Sequence, residues 1–327
     1  MSSNKQQRKP KPVDDADRLL APENFAELNK YFYMMKPFQY FDMRLKLLML
    51  MTKPDDIDPI FAQGLTVGGL KVYREEEGEL GDEDSDRYKK FVVVDAAFLL
   101  HHVSETLLRM YLVHEAMPRC PWLELSRERN FARFKSKLKK RFVDLDFDEA
   151  RARLPRLFYG HEKREDFSGP PMPEAEWNDG PANIESFLRY LARLLLDDAN
   201  VYNAAKHGLA LMAGESMFKL GDGKIVGAEG PSIMFLEVLK TANGGSRWNQ
   251  STKWVNIDEA LPFVAMANEL FKQLWNVARL RYVGGEGIRI GLFAKPKISD
   301  IIKRAFVTDD LKMELLYYVD AEEPAEV

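Results

Sequence analysis

Between Asn200 and His207 the chain sets Asn200, Tyr202, Asn203, Lys206 and His207 in a short polar cluster flanked by apolar residues. On a helix Asn203 and His207, four apart, stand one above the other on a single face. A histidine takes or gives a proton near neutral pH. An amide or an ammonium group beside it offsets the charge that builds on a phosphorus under attack. RNA brings its own nucleophile, the 2′-hydroxyl, so this set of groups suits metal-free phosphodiester cleavage. The same residues would serve equally well as a buried polar network or binding groove between helices. Both readings follow from the residue types.

A second set lies upstream. Asp95, His102, Glu105 and Arg109 recur at steps of seven, three and four, which return to nearly the same helical angle. The surrounding run, Phe91 to Met117, is apolar nearly all round and is expected to be buried. Buried charges persist when paired, so a Glu105–Arg109 pair is expected, or a polar groove shared with the helix that carries His207. A third set, Arg127 to Arg141, holds eight Lys or Arg against one acid, with Arg133, Lys137 and Lys140 among them. Phe131, Phe134, Leu138 and Phe142 form its apolar stripe. A basic amphipathic helix fits a phosphate backbone or a membrane surface, and is also an ordinary way to cover a core.

Known cofactor signatures are absent. Gly284 to Gly291 is rich in glycine but follows a helical pattern where a dinucleotide fingerprint would open one. His102-x-x-Glu105 reverses the order used in di-metal bundles, and His114 and Glu115 are merely adjacent. No metal site and no cofactor are expected.

The elements that must position these groups are mostly helical. With 46% hydrophobic and 30% charged residues in 327, a substantial core is expected. The net charge of −4 gives no overall attraction to nucleic acid, so such binding would need a local patch. Cys120 is the one cysteine, which excludes disulfides within the chain. The best apolar run, Phe91 to Leu100, is interrupted by Asp95 and falls short of the ~20 residues that span a bilayer. The N-terminus lacks the apolar core of a signal peptide. A cytoplasmic protein with no membrane association is the expectation.

The fold class read from the pattern is mainly α: a helical bundle with a small antiparallel β-sheet or hairpin in the C-terminal third. Residues 1–17 read as a disordered basic arm, 18–213 as the bundle, and 214–327 as a β-hairpin plus helix packed on it. Helices are expected from Pro22 through Phe32, from Pro37 to Met51, over Phe91–Met117 and within Asp148–Phe158, with one long helix from Ile184 to Ala213. Ala192, Ala199 and Ala210 give that last helix a narrow face, suited to close packing within the chain or across a dimer axis. Gly64–Tyr73 reads as a short β connection, Arg74–Asp86 as a solvated acidic loop and His161–Gly180 as a long loop. Strands are expected at Met217–Leu220, Lys224–Gly227, Ile233–Lys240 and Trp248–Asn256, then a helix capped by Asn256 or Asp258 and running to about Tyr282. A strand at Ile288–Phe293, a helix near Ile298–Phe306 and a strand at Leu311–Val319 close the chain.

The stretch YNAAKHG, preceded by a long apolar helix and followed by MFLEVLK and TKWVN, resembles the HEPN superfamily of helical proteins. The resemblance covers about residues 90–215. It implies a four- or five-helix bundle, often dimeric, and frequently a metal-independent endoribonuclease of prokaryotic toxin and phage-defence systems. The family motif is an Arg followed within a few residues by a His, usually with a polar residue just after the Arg. Asn203 and His207 match the polar residue and the His, while the Arg position is held by Tyr202. The resemblance therefore implies His207 as general acid or base, Asn203 orienting it, and Lys206 or Arg109 as charge stabiliser. His102, Glu105, Tyr202, Arg133, Lys137 and Lys140 would then contact the RNA. Beside this stands the second reading, a non-catalytic helical interaction module with a buried His/Asn network.

Overall fold

The computed structural model describes residues 20–53, 59, 63–67, 70–72, 85–128, 130–167, 173–197, 202, 211–220, 225–240, 246–285, 290, 291 and 293. Helix α1 (Pro22–Met34) begins on a proline, whose missing N–H costs nothing in the first turn. Helix α2 (Phe38–Met51) follows directly after Pro37. Strands β1 (Leu65–Val67) and β2 (Leu70–Val72) pair as a small antiparallel hairpin. Then comes the longest helix, α3 (Ser85–Glu115), with 31 residues. Helix α4 (Pro121–Arg127) again opens on proline, and α5 (Phe131–Leu138) is capped by Asn130, whose Oδ1 accepts from the Arg133 N–H at 3.0 Å. A π-helical turn over Lys139–Asp144, α6 (Phe147–Arg151) and a second π turn over Pro155–Tyr159 lead to α7 (Glu174–Asp197).

The sheet is three antiparallel strands in chain order, β3 (Leu211–Leu220), β4 (Ile225–Lys240) and β5 (Ser246–Trp254). Helix α8 (Ile257–Val283) starts where Asn256 Oδ1 accepts from the Asp258 N–H at 3.0 Å. Eight α-helices and this sheet make the described residues mainly α, with the sheet in the C-terminal third.

Helix α3 is the axis of the molecule. Leu99, Val103, Leu107, Leu108 and Tyr111 are wholly buried along it. It packs on α2, α7 and α8 and on the inner side of β3 and β4. From α8, Val264, Ala267, Leu270 and Leu274 meet it, and from α7, Ile184, Phe187, Leu188 and Leu191 join the same core. By length and composition the part Lys90–Glu115 is apolar enough to cross a membrane, which counting uninterrupted runs did not reveal. More than half of that stretch is spent inside the protein core.

Several expectations need correction. The loop expected over His161–Gly180 ends early, because α7 already starts at Glu174 and runs through Gly180 and Pro181, both buried. The long helix does not reach Ala213, since Leu211–Ala213 pair with Ile233–Phe235 as the first residues of β3. The two strands read over Lys224–Gly227 and Ile233–Lys240 are one strand of 16 residues, which passes through Gly230 at φ +126°. The helix expected within Asp148–Phe158 is split at Pro155. The N-terminal arm, the acidic run up to Asp84, the helix near Ile298–Phe306 and the strand at Leu311–Val319 lie outside the described residues.

Candidate functional site

On α3 the guanidinium of Arg109 reaches back one turn to Glu105, with Nε 2.8 Å and Nη2 2.7 Å from the same carboxylate oxygen, Oε1. Nη1 donates to the backbone carbonyl of Glu128, and the guanidinium carbon lies 4.1 Å from the centre of the Phe134 ring on α5. Arg109 thus spends its donors and one of its faces inside the protein. This is the internal pair expected from the spacing, and it also ties α3 to the start of the basic segment.

Tyr202, at the position where the family motif has Arg, is 8% exposed. Its ring stacks on His101, with centroids 5.5 Å apart and an interplanar angle of 22°. Burial, then the Glu105 charge and a hydrogen bond to Glu105, push its hydroxyl up to about 12, so it remains a donor to that carboxylate. Glu105 therefore accepts from Arg109 and from Tyr202, a three-residue cluster spanning α3 and residue 202. His102, expected in the same groove, turns toward α2, where its ring lies 5.0 Å from Phe41 and 5.9 Å from Tyr40. Asp95 also faces α2, 3.7 Å from Arg44. The four-residue stripe of α3 is thus shared between two neighbours.

The basic segment divides by face. Phe134, Leu138 and Phe142 are buried, as their spacing predicts. Arg133 and Lys137, 64% and 42% exposed, lie on the solvent side with Lys140, at steps of four and three. Glu128 neutralises part of this row: its Oε1 receives Lys137 and lies 3.6 Å from Arg133. Its other oxygen, Oε2, is buried with no hydrogen-bond partner among the described residues.

Arg141, counted with the basic face in the sequence, points the other way. Seven residues after Phe134, it falls on the core side and is 6% exposed. Its Nε donates to Glu115 at 2.8 Å, Nη1 reaches Glu185 at 3.3 Å and Nη2 donates to the Tyr111 hydroxyl. Arg189 joins from α7, with Nε 2.7 Å from Glu185 and its other nitrogens on the carbonyls of Phe142 and Leu145. Burial and the Glu115 charge hold the Tyr111 phenol well above its ordinary range. This charged cluster welds the π turn to α3 and α7. Sequence reasoning missed it, although the Glu185–Arg189 spacing of four was visible.

Ala192 is wholly buried, so that part of the small-residue face packs within the chain. Asn203, Lys206 and His207 lie outside the described residues, as do Ala199 and Ala210. No group of three or more His, Cys, Asp or Glu able to hold a metal ion occurs among the described residues. Comparison with known proteins gave no matching family model, no matching curated protein and no matching solved structure.

Proposed function

We propose that this chain is a helical RNA-binding module whose solvent-side cations Arg133, Lys137 and Lys140 follow the phosphate backbone. The observation that carries this reading is the row itself. Arg133 and Lys137 lie on the solvent side of α5 and Lys140 on that of the π turn that continues it, while Phe134, Leu138 and Phe142 fix the segment in the core. A row anchored in this way presents charge without having to fold on binding, which lowers the entropic cost of association. Phosphate contacts of this kind bind without sequence preference and weaken as salt rises.

Arg109 takes no part in chemistry in this proposal. Its donors already belong to Glu105 and the Glu128 carbonyl. Cleavage, if present, rests on His207 with Asn203 and Lys206, as the HEPN resemblance implies. The test is titration of labelled RNA with the whole protein at two salt concentrations, in EDTA, beside Arg133→Gln/Lys140→Gln and His207→Ala. The reading expects the double variant to lose about tenfold in affinity and to show a shallower salt slope. Equal binding by the double variant and the natural chain would overturn it. Cleavage that vanishes in His207→Ala would add catalysis by that residue, and binding without cleavage leaves a non-catalytic module.

A further inference from the structure

Three deeply placed guanidinium groups of this protein each have a carboxylate beside them. Arg109, Arg141 and Arg189, with side chains 18%, 6% and 14% exposed, lie 2.7, 2.8 and 2.7 Å from Glu105, Glu115 and Glu185. Arg281, in the last turn of α8, is also partly buried, yet it forms no salt bridge among the described residues. Its guanidinium is held by uncharged partners instead. Nη2 donates to the Arg156 carbonyl at 2.7 Å, and Nη1 lies 3.1 Å from the sulfur of Met117. Further N–H groups of the fork remain uncommitted.

The neighbour on the second π turn adds to the imbalance, because Arg156 carries a guanidinium of its own. Burial, and then the Arg156 charge, hold the Arg281 guanidinium below its ordinary range, although it stays protonated. Two negative sources face these two cations. Glu162 lies 3.1 Å from Arg156 and is 63% exposed, and the C-terminal end of α8 supplies roughly half a charge. The pair keeps an excess of positive charge in a partly desolvated place. A cation so placed without a counter-ion is unfavourable, and two neighbouring ones more so.

A structural role does not account for this arrangement. An uncharged donor would hold the Arg156 carbonyl without the repulsion, and the Arg156–Glu162 pair, about half in solvent, contributes little. An anion between the two forks removes the difficulty. Arginine presents paired N–H groups that match the oxygens of a phosphate, and the phosphate brings the missing charge.

We propose that Arg156 and Arg281 form a phosphate-binding site, with one fork from the second π turn and one from the end of α8. The site does not depend on the row of Arg133, Lys137 and Lys140, but it lies near it. Tyr282, next to Arg281, donates to the Pro118 carbonyl at 2.8 Å, and Pro118 and Lys137 line one small cavity. Two sources of the same group are therefore within reach, a free phosphate ester and the backbone of RNA.

The test is calorimetric titration of the full chain with inorganic phosphate at constant ionic strength. The natural protein is expected to bind, and Arg156→Gln, at a half-exposed position, to bind at least about tenfold more weakly. Arg281→Lys keeps the charge and loses the fork, and is expected to lose at least about threefold. Arg133→Gln/Lys140→Gln should bind phosphate like the natural chain. Thermal unfolding without phosphate gives a readout that a structural salt link would not: Arg156→Gln should melt no lower than the natural protein, because the repulsion is gone. No phosphate binding by the natural chain, or equal binding by Arg156→Gln, would overturn the proposal. A lower melting temperature for Arg156→Gln with unchanged phosphate affinity would do the same and make the pair a structural link. A second titration adds short single-stranded RNA. RNA that displaces the phosphate, and binds Arg156→Gln more weakly, assigns the site to the RNA backbone. Phosphate that stays bound beside RNA assigns it to a free phosphate ester.

Discussion

Nη2 of Arg109 and Oε1 of Glu105 are 2.7 Å apart on successive turns of α3, and both side chains are largely buried. This pair turns the cation beside Tyr202 into a structural tie. Arg109→Ala is therefore expected to lower stability by about 3 kcal/mol, because Glu105 keeps its charge without its partner. RNA affinity is expected to change less than twofold. Urea unfolding and RNA titration of the same variant separate the two effects, and a large loss of affinity at unchanged stability would contradict this view of Arg109.

Glu128 is expected to act as a brake on the basic row. Glu128→Gln leaves Arg133 and Lys137 without their shared counter-charge, so RNA binding should tighten and its salt dependence should steepen. The measurement is affinity at several salt concentrations; weaker binding by the variant would show that Glu128 positions those cations instead.

Glu185 is fully buried between Arg141 and Arg189. Removing its charge leaves Arg141 with Glu115 and the Tyr111 hydroxyl and leaves Arg189 with backbone carbonyls alone, so Glu185→Ala is expected to cost about 3 kcal/mol. Unfolding in denaturant would report it. A loss under 1 kcal/mol would mean that water reaches the cluster in its place.

His114 carries the pH dependence. It is wholly buried, with Nδ1 2.7 Å from the Met110 carbonyl and Nε2 on the Tyr33 hydroxyl. Burial lowers its pKa to about 4, from 6.5 in the unfolded chain. Between these values the unfolded state binds the extra proton, so stability is full above about 6.5 and declines as the pH falls toward 4. At pH 5 the loss should be about 2 kcal/mol relative to neutral pH. Unfolding of His114→Gln across the same range should lack this slope.

Much of this arrangement was legible because local signals decided it. Pro22 and Asn256 mark helix starts that the structure keeps, and the four-residue step from Glu105 to Arg109 gave their pairing directly. What failed was decided by distant partners. Gly180 and Pro181 read as a break, yet α7 runs through them, and packing outweighs their poor helix propensity. Leu211–Ala213 is an apolar run that fits helix or strand equally, and only pairing with Ile233–Phe235 makes it a strand. Arg141 was hidden by its basic neighbours, although its place seven residues after Phe134 put it on the apolar side.

Strand β5 carries a further consequence. Asn249 and Ser251 face inward and are almost wholly buried, and neither amide atom of Asn249 finds a hydrogen-bond partner among the described residues. Trp248, next in line, lies 66% exposed on the opposite side, across from Val238. At these two positions alone hydrophobicity favours a slide of one residue, which would swap them between core and solvent. Its alignment must come from elsewhere, and Trp254 supplies it: its indole is buried and Nε1 donates to the Ser216 carbonyl on β3 at 2.9 Å. One tryptophan thus works as an indexing pin, keeping the other on the outside against its own solubility.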